Sequence, residues 1–473
     1  MEKYDLTIIG GGSGGLTAAR VAASLGANVL LVDKERLGGD CLNYGCVPSK
    51  SLIHVAHIVQ EAKQAAKFGM VLADPGIDMA KVSNYVQGVI GRVGQNEKAY
   101  TEGVIVKFGH VSFKSTTELL LNDEIISSRA TLVATGSHPA IPAVEGLTEV
   151  GFLTNEDVFD LLHLPTSMIV VGGGPVGIEL GQAFERLGAK VTIIQGPERI
   201  LSKEDPEVSS TVADILISEG ITIVTNARFV KANRKGDKKV VVAKMDNRLV
   251  SFEADEIVLA LGRQPNVEGL NLEAAGIQYD HKGIKVNKYL QTSTPHIFAI
   301  GDVIGGYLFT HVAAYQAGVA VRNALVPFGK KKVDYRVVPW CTFTDPEAAR
   351  VGMTSAEASR AYNGQIRTVK FPWAEIDRAQ AEGETTGFIK LVLASRKDEI
   401  VGAHMIGARA GEMLGELSLA MQHNLTLNDI LATIHVYPTM NTGLQQTVFE
   451  AFLEGKATAR NRKVVRTLLK FRR

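Results

Sequence analysis

The first apolar run, in YDLTIIGGG, stops on a glycine cluster and gives way to residues repeating at helical spacing, LTAARVAASLGA; a second apolar run, NVLLVDKE, ends at Asp33. This order predicts a strand, a helix and a strand, with Gly10, Gly12 and Gly15 at the first turn. The pattern returns about 160 residues later in SMIVVGGGPVGIELGQAFERLGAKVTIIQG, where Gly172, Gly174 and Gly177 occupy the turn and the second strand ends at Gln195. Two shorter runs, TLVATGSHPAIP and EIVLALGRQPN, are stopped by Gly136 and Gly262 and read as chain crossings. PHIFAIGDVIGGYLFTHVAAYQAG then puts Asp302 just after a strand and before a helix. From about Tyr335 the texture becomes strand-rich, in GFIKLVLAS and IVGAHMIGA, with helix-like stretches between and no further glycine loop, which predicts a third, α+β domain.

A glycine loop between a strand and a helix lets backbone N–H groups approach a pyrophosphate at the helix N-terminus, while an acid at the end of the next strand meets a ribose hydroxyl. The first unit satisfies all of this. Two such units in one chain argue for two dinucleotides, with a flavin and a nicotinamide the economical pairing. In the second unit Gln195 stands where the acid would be, so no carboxylate repels a 2′-phosphate, and NADPH and NADH both remain open. Arg199 and Lys203 lie downstream, where a charged residue is either solvated or a phosphate partner.

The length of 473 residues suggests about three domains of roughly 150 residues each. With 51 Lys+Arg against 50 Asp+Glu the chain has no overall field to concentrate nucleic acid or another polyanion, and 45% hydrophobic content excludes disorder over most of its length. The start lacks a basic segment followed by an apolar core, and no apolar run reaches a membrane span, so a cytoplasmic location is expected. The last 18 residues, KATARNRKVVRTLLKFRR, hold eight Lys or Arg and no acid. They are either a solvated tail or a weak peripheral contact with an anionic membrane or RNA.

Three cysteines are too few for a disulfide framework. Cys341 reads as a small buried residue. Cys41 and Cys46, in GGDCLNYGCVPSK, are a pair, and the second opens a helical stretch whose dipole favours a thiolate. Such a dithiol stores the two electrons that a hydride delivers. A structural zinc site would want two further ligands at matched spacing, and none is evident.

The ordered set GxGxxG, CxxxxC with PSK, ATGS, a second GxGxxG with IE, and AIGD covers nearly the whole chain and resembles the flavin-dependent pyridine nucleotide disulfide oxidoreductases. That resemblance implies an α/β fold of two Rossmann-like dinucleotide-binding domains plus a C-terminal α+β dimerisation domain. Residues 1–150 and 272–334 would bind FAD, 151–271 would bind NADPH or NADH, 335–455 would dimerise, and 456–473 would form the basic tail. Cys41 becomes the interchange thiol that meets substrate and Cys46 the thiol beside the flavin. Lys50 would lie near the flavin ring and pair with Glu179. Further FAD contacts would come from Gly10, Gly12, Gly15, Asp33 and Lys34, then from His110, Thr135, Gly136, Ser137, Asp302 and Thr310. For the nicotinamide cofactor they are Gly172, Gly174, Gly177, Glu179, Gln195, Val230 and Gly262. The family also implies an obligate homodimer in which the third domain of one subunit completes the other's site.

One departure narrows the chemistry. Dithiol-handling members of the family carry near the C-terminus a His-Pro pair with a Glu five residues after the His, which deprotonate the substrate thiol. Here IHVYPTMNTGLQQ has Tyr437 and Thr442 in those places. His435 lies two residues before the tyrosine and, in an extended segment, would face the same side. A tyrosine there resembles mercuric reductase, although the C-terminal vicinal cysteines that hand mercury inward are absent, and GGDC departs from the commoner GGTC. The expected function is NAD(P)H oxidation through FAD and the Cys41/Cys46 pair, with mercury held transiently by those two thiols. Dihydrolipoamide dehydrogenase-like disulfide reduction and quinone reduction are the alternatives within this class; a redox-responsive sensor is the alternative outside it.

Overall fold

The computed structural model describes residues 3–73, 76–395 and 398–471. Its contacts divide the chain into two units, Met1–Gly196 with Ala227–Asp334, and Pro197–Asn226 with Tyr335–Arg473.

In the first unit the strands Ile105–Phe108, Val29–Asp33, Lys3–Ile9 and Glu124–Val133 run parallel in that order, and Ile297–Ala299 pairs with the end of Glu124–Val133. Successive side chains of a strand point to opposite faces. Leu30 and Val32 accordingly join one apolar cluster, and Val29 and Leu31 another. The sheet is thus buried on both faces. Alanines of the helices Ser13–Ser24 and Thr310–Leu325, among them Ala18, Ala22, Ala317 and Ala320, bring those helices close against the second face.

The second glycine loop lies in another parallel arrangement, Lys190–Ile194, Ser167–Val171 and Glu256–Leu259 in that order. An antiparallel meander, Arg228–Lys235, Lys238–Met245 and Arg248–Ala254, belongs to the same unit. The two short runs read as crossings pair with one another, Ser137–Pro139 against Arg263–Pro265.

The second unit is built on a five-stranded antiparallel sheet ordered Pro339–Thr342, Glu347–Gly352, Glu399–Gly407, Phe388–Ala394, Ile366–Pro372. Its core joins Trp373, Leu391 and Met405 to Leu414 and Leu417 of the helix Ala410–Gln422 and Leu444 and Val448 of Asn441–Glu454. Every residue of Phe388–Ala394 is buried, Lys390 included, and its ammonium meets Asp205 at 3.1 Å and Glu207 at 2.9 Å. Asp205 also caps the helix Pro206–Ser218 and accepts the Ser355 hydroxyl at 2.9 Å. Burial would raise the Asp205 carboxyl, but Lys390 and Ser355 prevail and hold it at about 2. The architecture is the expected α/β one, two sheets whose glycine-looped strands run parallel and an α+β unit.

Candidate active site

Each glycine loop turns its strand sharply into a helix. Gly10 adopts a φ of 104°, and a Cβ on Gly15 would stand 1.8 Å from the Gly10 carbonyl oxygen, so neither position accepts a side chain. The helix Ser13–Ser24 starts at Gly12 with no side-chain cap, which leaves its first-turn N–H groups for an anion. The second loop repeats this: a Cβ on Gly177 would lie 1.9 Å from the Gly172 oxygen, and Pro175–Leu187 starts uncapped at Gly174. Both cradles fit a dinucleotide pyrophosphate.

The residues ending the second strands share a task that the sequence does not show. Asp33 Oδ2 accepts the Gly11 N–H at 2.6 Å, and Gln195 Oε1 accepts the Gly173 N–H at 2.8 Å. Gln195 closes its loop as Asp33 does, but without a charge. His110 follows Phe108, the strand partner of Asp33, while Lys34 is exposed and pairs with Glu35 at 3.4 Å. Val230 sits where the register of Arg228–Lys235 shifts, three residues after Ala227, whose N–H donates to the Gln195 carbonyl at 3.0 Å. The Gly262 carbonyl accepts the Ala140 N–H at 2.9 Å.

The redox pair is built from two helix starts. Cys41 lies half-buried in the short helix Gly39–Asn43; Cys46 is exposed and is the first residue of Cys46–Gln64. A hydrogen bond from the Cys41 thiol holds Cys46 at about 6, below its ordinary 9.0. Burial opposes this, while Thr310, the first residue of Thr310–Leu325, and the Lys50 ammonium assist it. Thr310 Oγ1 is 3.6 Å from the Cys46 sulfur. The same thiol–thiolate bond, with burial, pushes Cys41 up. The reduced pair is therefore a neutral Cys41 donating to an ionised Cys46. Lys50 follows one helical turn later on the same face, and its Nζ lies 2.7 Å from Glu179 Oε2 on Pro175–Leu187.

A network around Arg263 was not legible in the sequence. Its guanidinium meets Asp40 at 2.9 Å, donates through Nε to Ser137 Oγ at 2.7 Å and through Nη2 to the Ser137 carbonyl at 2.9 Å. Ser137 Oγ in turn donates to Asp302 at 2.6 Å. Burial pushes the Asp302 carboxyl up. Asp40, next to Cys41, raises the Cys46 thiol slightly, and Arg263 is its balancing charge. The available signals were GGDC in place of GGTC and an arginine directly after Gly262. Beside this network, Thr135 Oγ1 donates to the Asn266 carbonyl and Asn266 Nδ2 to the Thr135 carbonyl, both at 2.8 Å, fixing the turn at Gly136.

In the second unit His435 and Tyr437 take different partners. The stretch between the helices Leu427–Ala432 and Asn441–Glu454 forms no strand. His435 turns inward, its side chain 5% exposed and its Nε2 2.9 Å from Glu416 Oε1, while the exposed Tyr437 donates to Asp377 at 3.0 Å. Asn441 Nδ2 also reaches Glu416, at 2.6 Å, and Thr442 Oγ1 donates to the Thr439 carbonyl at 2.7 Å. A cavity of about 340 Å³ opens beside Glu416, lined by Arg378, Arg409, Met413, Met440 and Asn441 among others. Cys341 is half-buried, with its sulfur 3.5 Å from the Thr342 carbonyl.

The family model described as pyridine nucleotide-disulphide oxidoreductase matches residues 4–318, and that of the family's dimerisation domain matches 338–448. The chain belongs to the pyridine nucleotide-disulphide oxidoreductases. As a member of that family it is an oxidoreductase using FAD and NAD(P)H, and its dimerisation domain supports a homodimer. FAD and NAD(P)H, when bound, would supply a two-electron path from nicotinamide to flavin. The chain is 35% identical to a mercuric reductase of Staphylococcus aureus, over 93% of this chain and 81% of the relative. It is also 35% identical to a dihydrolipoyl dehydrogenase of Bacillus subtilis, over 96% and 99%. Among solved structures, the HOCl-induced flavoprotein disulfide reductase RclA of Escherichia coli superposes with a TM-score of 0.85 at 27% identity, covering 94% of this chain and 99% of that one. Its Cu(II) complex superposes with a TM-score of 0.84, also at 27% identity, covering 95% and 99%.

Proposed function

We propose that this oxidoreductase reduces a thiophilic metal ion, Hg(II) foremost, to the metal. NAD(P)H is the electron source, FAD and the Cys41/Cys46 pair the route. The observation that carries this reading is the absence of a general base at the C-terminal positions: Tyr437 and Thr442 stand there, and His435 is turned inward onto Glu416. Reduction of an organic disulfide must protonate a leaving thiolate, whereas two electrons passed to Hg(II) give Hg(0) with no proton to the acceptor. Thiolates are the preferred ligands of such an ion, and Cys46 is ionised near neutral pH. Mercuric reductase among the relatives and a Cu(II) complex among the structural neighbours agree with it. In the site we assign the interchange role to Cys41, the flavin-facing role to Cys46, and support of the flavin ring to Lys50 with Glu179.

A disulfide acceptor is the second reading, favoured by the equal identity to dihydrolipoyl dehydrogenase. NAD(P)H oxidation with Hg(II), Cu(II), lipoamide and glutathione disulfide separates the two. Metal-dependent turnover, suppressed as small thiol is raised because that thiol competes with Cys41 and Cys46 for the ion, is the expected result. Turnover confined to disulfides overturns the proposal.

A further inference from the structure

Beyond Asn441–Glu454 the chain continues as the helix Lys456–Phe471, a feature no part of the redox chemistry uses. At about 100° per residue, Arg462, Lys463, Arg466 and Lys470 fall on one arc, and Val464, Val465, Leu468 and Leu469 on the opposite one. Those four apolar side chains are 52%, 52%, 58% and 55% exposed. The basic residues are equally unusual. The last 18 residues carry eight cations and no acid, leaving 43 Lys+Arg against 50 Asp+Glu in the rest of the chain. Arg472 and Arg473 of this set lie outside the described residues.

We infer that this helix lies in the surface of an anionic phospholipid bilayer, its Val/Leu face among the acyl boundary and its cations among the phosphates. An exposed apolar face with a basic flank is the pattern that interfacial helices use. A nucleic acid would neutralise the cations but leave the apolar face wet. A second copy pairing through the same face would bring two clusters of eight like charges close to one another, which is unfavourable. The acidic remainder is repelled by the same lipids, so the helix is the attachment point. No helix among the described residues is long and apolar enough to cross a membrane, which makes the contact peripheral. The inference does not depend on which acceptor the enzyme reduces.

The test uses the full-length, FAD-loaded enzyme, sedimented with vesicles of pure phosphatidylcholine or of equal parts phosphatidylcholine and phosphatidylglycerol. Pelleting with the mixed vesicles alone, reversed by salt, is expected. In the double variant Lys463→Glu, Arg466→Glu the vesicle affinity should fall at least about fivefold per cation removed. Leu468→Asp with Leu469→Asp should abolish pelleting and leave NAD(P)H oxidation and dimer mass unchanged. Absence of pelleting by the unaltered enzyme, or its persistence in the leucine variant, overturns the inference. Light scattering without vesicles that shows a larger assembly only when both leucines are intact also overturns it and assigns the face to self-association. RNA retention that outcompetes the mixed vesicles and ignores the leucine variant overturns it in favour of nucleic acid.

Discussion

Alanine in place of Cys41 removes the donor that does most to hold Cys46 at about 6, while Thr310 and Lys50 remain. A hydrogen bond to a charged acceptor contributes about 1.5–3 kcal/mol, and because Cys46 is exposed, solvent screening favours the lower end. At about 1.36 kcal/mol per pH unit, Cys41→Ala should raise the Cys46 titration by roughly one unit, to near 7. A lowered thiol pKa means that the thiolate is populated above that pH and lost below it. Between about pH 6 and about pH 7, therefore, the parent retains its thiolate while the alanine variant surrenders most of it. Cys41→Ser keeps an O–H donor and should titrate close to the parent. The assay follows the long-wavelength absorbance of the thiolate against bound flavin, and the iodoacetamide alkylation rate, from about pH 5 to about pH 8. The single-cysteine variants need no reduction; the parent is first reduced by two electrons. If alanine and serine variants both titrate near the parent value, Cys41 does not set the acidity, and the helix start with Lys50 must. If Cys46→Ser keeps the band and Cys41→Ser loses it, the two thiol assignments are reversed.

Lipoamide and glutathione disulfide should turn over about 10² to 10⁴ times more slowly than in reductases with a C-terminal base, because Tyr437 and Thr442 occupy its place; turnover on the order of 10² per second would contradict this. Lys390→Met leaves Asp205 and Glu207 without their buried cation and should cost about 3–5 kcal/mol, read as a lower melting temperature that adding Asp205→Leu partly restores. An Asp205 carboxyl held at about 2, below its ordinary 3.8, stabilises the fold above about pH 4 and loses that contribution as pH falls through about 2, so acid unfolding should shift upward in Asp205→Asn. Arg263→Gln removes the charge balancing Asp40 and the donor to Ser137; Cys46 should titrate higher and FAD affinity fall by about fivefold to a hundredfold, measured by flavin release. An unchanged Cys46 titration there would mean that Asp40 is balanced by something else.

The glycine loops were legible because their chemistry is local: a strand, a turn that excludes Cβ atoms and a helix start follow one another within a few residues. For the same reason Cys46 could be placed at the head of its helix from GCVPSK alone. Partners distant in sequence were not legible. Arg263 reaches Asp40 across more than two hundred positions, and nothing in LGRQPN says which acid it meets. His435 is a different case. A side shared with Tyr437 depended on the segment being extended, and no partner for either residue could be named from the sequence; the fold gives Glu416 to one and Asp377 to the other. The buried Lys390 was hidden because FIKLVLA reads as apolar and only the fold brings Asp205 and Glu207 to it.

At the first glycine loop a single carboxylate closes the turn, Asp33 taking the Gly11 N–H on one oxygen and the Glu35 and Arg36 N–H groups on the other. At the second, Gln195 shows that closing the turn needs only an acceptor oxygen, since its amide holds Gly173 at nearly the distance at which Asp33 holds Gly11. The hydrogen bond that closes the loop and the charge the position carries are thus separable. An exchange of glutamine for glutamate there would alter the welcome given to a 2′-phosphate while leaving the turn its acceptor. Charge at that position can therefore be exchanged without giving up the hydrogen bond that holds the loop.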